Sequence, residues 1–161
     1  MAIQHNAPKA APRGIVATYF YYGTDAVAEG EPFVLDPTDS ASHYQPNVIR
    51  RPTTSGDQFV GVAARSYPAD SGARQIEVYL PGSRNINVRV GATVAAGAVI
   101  QFGYKASVGS KKFIAASSPH ALTALQIGDV IVREAKTVSS GTALVTADIP
   151  LGPLAPGVSD S

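Results

Sequence analysis

Short runs of β-branched and aromatic residues, each closed by Gly, Pro, Asp or Asn, dominate this chain, and almost no window places apolar residues at i, i+3, i+4 and i+7. Helix is therefore scarce, and the backbone must satisfy its hydrogen bonds by pairing strands. Residues 15–22 (IVATYFYY) form the strongest expected strand, stopped at Gly23-Thr24-Asp25. Residues 33–35, 59–64, 75–80, 86–90, 99–102, 112–115, 130–132 and 143–149 follow, about nine to ten short strands in all. Residues 75–80 (QIEVYL) and 86–90 (INVRV) alternate cleanly, with Ile76, Val78 and Leu80 on one face and Ile86, Val88 and Val90 on another. The pair resembles a hairpin across residues 81–85. Residues 119–125 (PHALTAL) are the one stretch with the make-up of a short helical turn. The expectation is an all-β protein, a compact β-barrel or β-sandwich.

One turn recurs as an apolar residue, two spacers, Gly and then a strand, at Val27 to Gly30, Val94 to Gly97 and Leu125 to Gly128. Gly supplies the positive φ of a tight corner there. Its glycines stand 67 and 31 residues apart, which reads as a recurring device rather than a solenoid repeat. The ends differ from the body. Residues 1–14 carry Pro8, Pro12 and Gly14 with Lys9 and Arg13 as the only charged side chains, and read as an extended N-terminal arm. Residues 151–161 form a flexible, Pro-rich C-terminal tail, and residues 15–150 are the folded body.

Composition narrows the function. The chain of 161 residues has 13 Lys+Arg against 12 Asp+Glu, too balanced for a general nucleic-acid binder or for docking on anionic membranes. With no Cys, a disulfide framework and a cysteine zinc site are excluded. The start lacks the apolar core of a secretory signal, no apolar run reaches membrane-spanning length, and no glycosylation sequon occurs. A reducing cytosol, or a particle assembled there, is the expected setting.

No catalytic signature emerges. Asp36, Asp39, Ser40, Ser42 and His43 crowd into eight residues, but that composition is also that of a polar loop between strands. His5, His43 and His120 lack metal-ligand spacing, and residues 103–111 (GYKASVGSK) miss the phosphate-loop pattern in both glycine spacing and residue order. Arg50-Arg51 and Lys111-Lys112 read as solvated loop charges. Catalytic residues, metal ligands and cofactors are expected to be absent. Tyr19, Phe20, Tyr21 and Tyr22 put aromatics on both faces of one strand, so one face needs a neighbouring sheet or a neighbouring subunit.

The order of segments GEPFVL (30–35), FVGVAA (59–64), QIEVYLPG (75–82), VAAGAVI (94–100) and IGDVIV (127–132) resembles small capsid decoration, or cement, proteins of tailed bacteriophages. The resemblance covers roughly residues 25–150 and implies a non-catalytic β body, often a homotrimer, on the outside of the expanded head, locking major capsid subunits together. Assembly would take place in the host cytoplasm. An arm of about 14 residues reaches roughly 45 Å when extended. The expected capsid or subunit contacts are Ile3, Gln4, His5, Pro8, Lys9, Arg13, Tyr19 and Tyr21. The alternative is a head-fibre or tail-associated module that recognises host glycans through residues 36–47, with His43 and Tyr44.

Overall fold

The structure, a computed structural model, describes residues 13–36, 47–152 and 157–160, and these hold eleven strands and no helix. They are β1 (Val16–Tyr21), β2 (Pro32–Leu35), β3 (Val48–Arg50), β4 (Phe59–Ala63), β5 (Arg74–Tyr79), β6 (Ile86–Val90), β7 (Val99–Tyr104), β8 (Phe113–Ile114), β9 (Asp129–Val132), β10 (Ala143–Asp148) and β11 (Val158–Ser159). The all-β expectation holds. β1 to β5 close into a barrel in the order β1-β3-β2-β4-β5, because β1 pairs with both β3 and β5. The other six form a sheet ordered β11-β7-β8-β6-β10-β9, and an added β7–β9 pairing closes five of them into a second ring. β11 lies outside that ring, parallel to β7.

The second ring repeats the first strand for strand. β1 runs parallel to β3 and antiparallel to β5, as β6 runs parallel to β8 and antiparallel to β10. The pairings β2–β3, β2–β4 and β4–β5 are matched by β7–β8, β7–β9 and β9–β10, all antiparallel. Register agrees outside the bulge after Phe33, where Val34 faces Phe59 but Gln101 faces Asp129: Tyr21↔Arg74 corresponds to Val90↔Ala143, Leu35↔Ile49 to Phe102↔Phe113, and Val62↔Tyr79 to Ile131↔Asp148. Even the bridge outside the strands recurs, Val27 with Tyr67 in the first barrel and Val94 with Lys136 in the second.

Interior positions follow the same correspondence. Tyr21, Val27, Phe33, Ile49, Ala63, Ile76 and Val78 fill the first barrel, and Val90, Val94, Ile100, Phe113, Val132, Val145 and Ala147 occupy the matching places in the second. All are buried, so each barrel meets the hydrophobic requirement with one face of its strands. β2 and β4 are buried on both faces. Phe33 and Ala63 point into their own barrel, whereas Val34, Phe59 and Val62 belong to the core cluster of the second.

Three expectations need correction. β5 and β6 do not form a hairpin, because β5 spends both edges on β1 and β4, so residues 81–85 become the link between barrels. Ser83 is fully buried in that link, and its hydroxyl accepts a hydrogen bond from Ile15 N at 3.0 Å. Residues 119–125 make a turn, with Ala124 N bonded to Ala121 O, and not a helix. Of the recurring glycine turns, those ending at Gly30 and Gly97 are equivalent corners of a duplicated barrel, while Gly128 precedes β9 and belongs to a different turn. Strands β3 and β11 were not anticipated.

Candidate interaction surface

The strand β1 separates its aromatics as its period of two demands. Tyr21 points inward and is 5% exposed. Its hydroxyl donates to Asp25 Oδ1 at 3.0 Å, and its ring meets Phe33 edge-on at 5.3 Å. That packing removes Tyr21 from the surface and from the set of residues a partner reaches. Tyr19 is half-buried at the end of the same barrel, packed against its core. Phe20 is half-buried and Tyr22 is 47% exposed on the outward side.

Arg13 is exposed, and its backbone exchanges hydrogen bonds with Arg84 at 3.0 and 2.9 Å. Ile3, Gln4, His5, Pro8 and Lys9 lie outside the described residues, as do residues 37–46 with His43 and Tyr44. Just past Arg13, Ile15 is 53% exposed, and both it and Leu151, 73% exposed, come close to Gly82. A methyl group at Gly82 would sit 3.1 Å from Ile15 Cδ1 and 3.8 Å from Leu151 Cδ2. Beside Leu151 opens a concavity of about 450 Å³ with mainly apolar side chains in its lining, Tyr19, Leu35, Val60, Leu80, Pro81 and Ile127 with Gln58 and Phe59. A second, of about 340 Å³, runs from Leu151 past Pro150 and Ile149 to Ile131, with Gly82, Arg84 and Asp148. The two share Leu151, and with the exposed Ile15 they put large apolar side chains on the surface where the barrels meet, a feature that marks candidate interaction sites.

Charged residues concentrate elsewhere. Arg51, 4% exposed, sits at the other end of the first barrel, where Nη2 donates to Glu31 Oε2 at 2.7 Å and to Ala26 O at 3.0 Å. Its Nη1 donates to both oxygens of Asp25 at 2.7 Å and to the Tyr21 hydroxyl. Arg74 donates Nη2 to the carbonyls of Gly23 and Asp25. Lys111, from the loop between β7 and β8, reaches Asp25 Oδ2 at 2.9 Å and ties the second barrel to this network. Burial opposes the ionised form of Asp25, but hydrogen bonds from Lys111, Arg51 and Tyr21 hold its carboxyl well below the usual range. The arrangement is a strut in which Asp25 and Glu31 pair with Arg51 and Lys111, and Arg74 is held by backbone carbonyls. Asp36 of the polar loop pairs with Arg50 at 3.8 Å.

The most chemistry-like cluster in the second barrel is Asp129, fully buried, with His120 Nδ1 at 2.8 Å, Gln101 Nε2 at 2.9 Å and Gln126 N at 2.8 Å. It pins residues 115–128, the loop in which the spacing between matching strands grows from 64 to 69, an insertion of five residues. Among the described residues no group of three His, Cys, Asp or Glu could hold a metal ion.

The C-terminal end is tied down. Asp160 accepts from Ser110 Oγ at 2.8 Å and pairs with Lys112 Nζ at 2.8 Å, while Val158 and Ser159 lie beside Gly103 and Tyr104 of β7. Proline spacing hid this, because a two-residue strand has no periodicity to read. Sequence reasoning also missed Leu151 and Ile15 as surface anchors, since neither stands out until the link between barrels brings them together. Compared with known proteins, the chain matches no protein-family model and no curated protein.

Proposed function

We propose that this chain is a capsid decoration protein of a tailed bacteriophage, which binds the outside of the expanded head and stabilises it by bridging major capsid subunits. The observation that carries the reading is the apolar face around Ile15, Gly82 and Leu151, placed where residues 1–12 join the body. In this reading the body-borne patch and residues 1–12, which precede Arg13 in the chain, act as two attachment points. Two attachments joined by a short tether raise effective concentration, and repetition over a shell multiplies weak contacts into firm binding. The resemblance in the short segments 30–35, 59–64, 75–82, 94–100 and 127–132 supports the same reading. Two tightly closed barrels sharing a core suit a part that bears load. The working unit in this proposal is a homotrimer, and no nucleic acid, membrane, metal or cofactor takes part.

The test is the mass of the purified protein by light scattering, followed by sedimentation with undecorated expanded heads. A trimer that saturates the heads and raises their melting temperature is the expected result. A deletion of residues 1–12 spares the Arg13 to Arg84 pairing and should leave a folded body with weakened head binding. Full-length protein that ignores expanded heads overturns the proposal.

A further inference from the structure

The two barrels match in their interiors but differ at one end. In the second barrel Val88, Phe102 and Ile149 are sealed, at 0%, 0% and 1% exposure. Gly128 and Gly157 lie close against the Phe102 ring, and the first barrel supplies the rest of the seal. Phe59 stacks on Phe102 at 5.6 Å and meets Phe113 edge-on at 6.1 Å, and Val34 and Val62 join the same cluster. The matching positions of the first barrel are Tyr19, Leu35 and Leu80, one residue beyond or within the paired registers of β1, β2 and β5. These three are half-buried and line the concavity of about 450 Å³. Among the described residues, one copy of the fold therefore has its end plugged by an aromatic side chain, and nothing plugs the other.

We propose that the open end of the first barrel is the docking site for an aromatic or bulky aliphatic side chain, carried on an extended segment of a partner protein. It enters as Phe59 enters the second barrel. Among the described residues, Gln58 supplies the one polar side chain apart from the Tyr19 hydroxyl, and no charged side chain lines the concavity, which fits an apolar anchor. Its volume exceeds that of one ring, leaving room for the residues flanking the anchor. A second copy of this chain cannot repeat the intramolecular plug with its second barrel, which has Gly128 and Asp129 where β4 has Phe59 and Val60. That the partner is the capsid subunit rests on the function proposed above; the docking chemistry does not.

Two measurements on the full chain test this. The first is an amide NMR titration with a synthetic peptide of residues 57–63 (DQFVGVA), which carries the plug of the other barrel. Saturable shifts at Tyr19, Leu35, Leu80 and Ile127 are expected, weakened about tenfold when Ser replaces the peptide's Phe. They should weaken similarly when the protein carries Ile15→Ser with Leu151→Ser, exposed positions whose change leaves the core intact. The absence of saturable shifts, or equal binding of the Ser peptide, overturns the proposal. The second places the photo-crosslinker p-benzoylphenylalanine at Leu151 and illuminates decorated heads. A crosslink to the capsid subunit supports the proposal, and a crosslink between copies of this chain overturns it. Decoration without any crosslink at that position overturns the docking site and leaves the proposed function standing. Peptide binding without decoration does the reverse.

Discussion

Arg51 and Glu31 form an ion pair in which Nη2 meets Oε2 at 2.7 Å with both side chains 4% exposed. The duplicated barrel does without it: the positions matching Asp25, Glu31, Arg51 and Arg74 hold Ala92, Ala98, Ala115 and Ala143. Closing the barrel is thus independent of the network. Removing one partner strands a buried charge, and Glu31→Ala or Arg51→Ala alone should cost about 3–5 kcal/mol. The double variant Glu31→Ala with Arg51→Ala should cost less than the Glu31→Ala change by itself. Urea unfolding measures all three, and a double variant at least as unstable as both singles combined would show that the pair is needed for closure.

Acid should weaken the fold through the same cluster. Burial disfavours the charged Asp25, yet the hydrogen bonds from Lys111, Arg51 and Tyr21 prevail and lower its folded pKa. Asp57 moves in the same direction, against burial, through Arg50 and the amides of Thr54 and Thr53. A lowered folded pKa contributes stability that is complete above the unfolded value of about 3.9 and is lost as the pH falls below it. The urea midpoint should hold between pH 7 and 5 and drop below pH 4. Asp25→Asn should flatten that drop, and an unchanged slope in this variant would remove Asp25 as its cause.

Alkali acts through Tyr21, whose pKa burial pushes up to about 12, with the bond to Asp25 adding to burial and the Arg51 guanidinium opposing it. A raised folded pKa on an acid contributes stability below the unfolded value near 10 that is lost as the pH climbs toward 12. Of the seven tyrosines, Tyr21 should ionise late in a near-ultraviolet absorbance titration. Tyr21→Phe should abolish that late step. A late step that survives the substitution would assign it to another ring.

Strand identity was legible along most of the chain because alternation in segments such as residues 75–80 and 86–90 directly reports one-sided burial. Pairing was not. The choice between a β5–β6 hairpin and two separate rings depends on which edges are already taken, and no local pattern records that. The duplication left only its corner, the V-A-x-G of residues 27–30 and 94–97, because interior positions tolerate any apolar residue of fitting volume, as Tyr21 against Val90 or Ile49 against Phe113 shows. Insertions between strands then blurred a constant period. The apolar face escaped notice because Ile15, Gly82 and Leu151 are brought together only by the tertiary fold, whereas the aromatic run at 19–22 was conspicuous and half of it serves the core.

The repeated corner gives a controlled comparison between Gly30 and Gly97. Both have positive φ, +86° and +81°, so an Ala at either bears left-handed strain of about 1–2 kcal/mol. Their surroundings differ. A methyl at Gly97 meets nothing within 4 Å, but one at Gly30 would lie 2.7 Å from Arg89 N and 2.9 Å from Val88 C, backbone of the second barrel. Gly30 O also accepts the Arg89 amide at 2.9 Å, so the corner is wedged into the joint between barrels. Gly97→Ala should lose only the strain, while Gly30→Ala should lose the strain and force the barrels apart, at a cost at least about 2 kcal/mol greater. Calorimetry should also show whether the joint fails first: Gly30→Ala broadens or splits the unfolding transition, and Gly97→Ala shifts it intact. Equal destabilisation by the two substitutions would mean that the barrels yield at this joint without cost, and that the core around Phe59 and the Lys111–Asp25 pair hold them together instead.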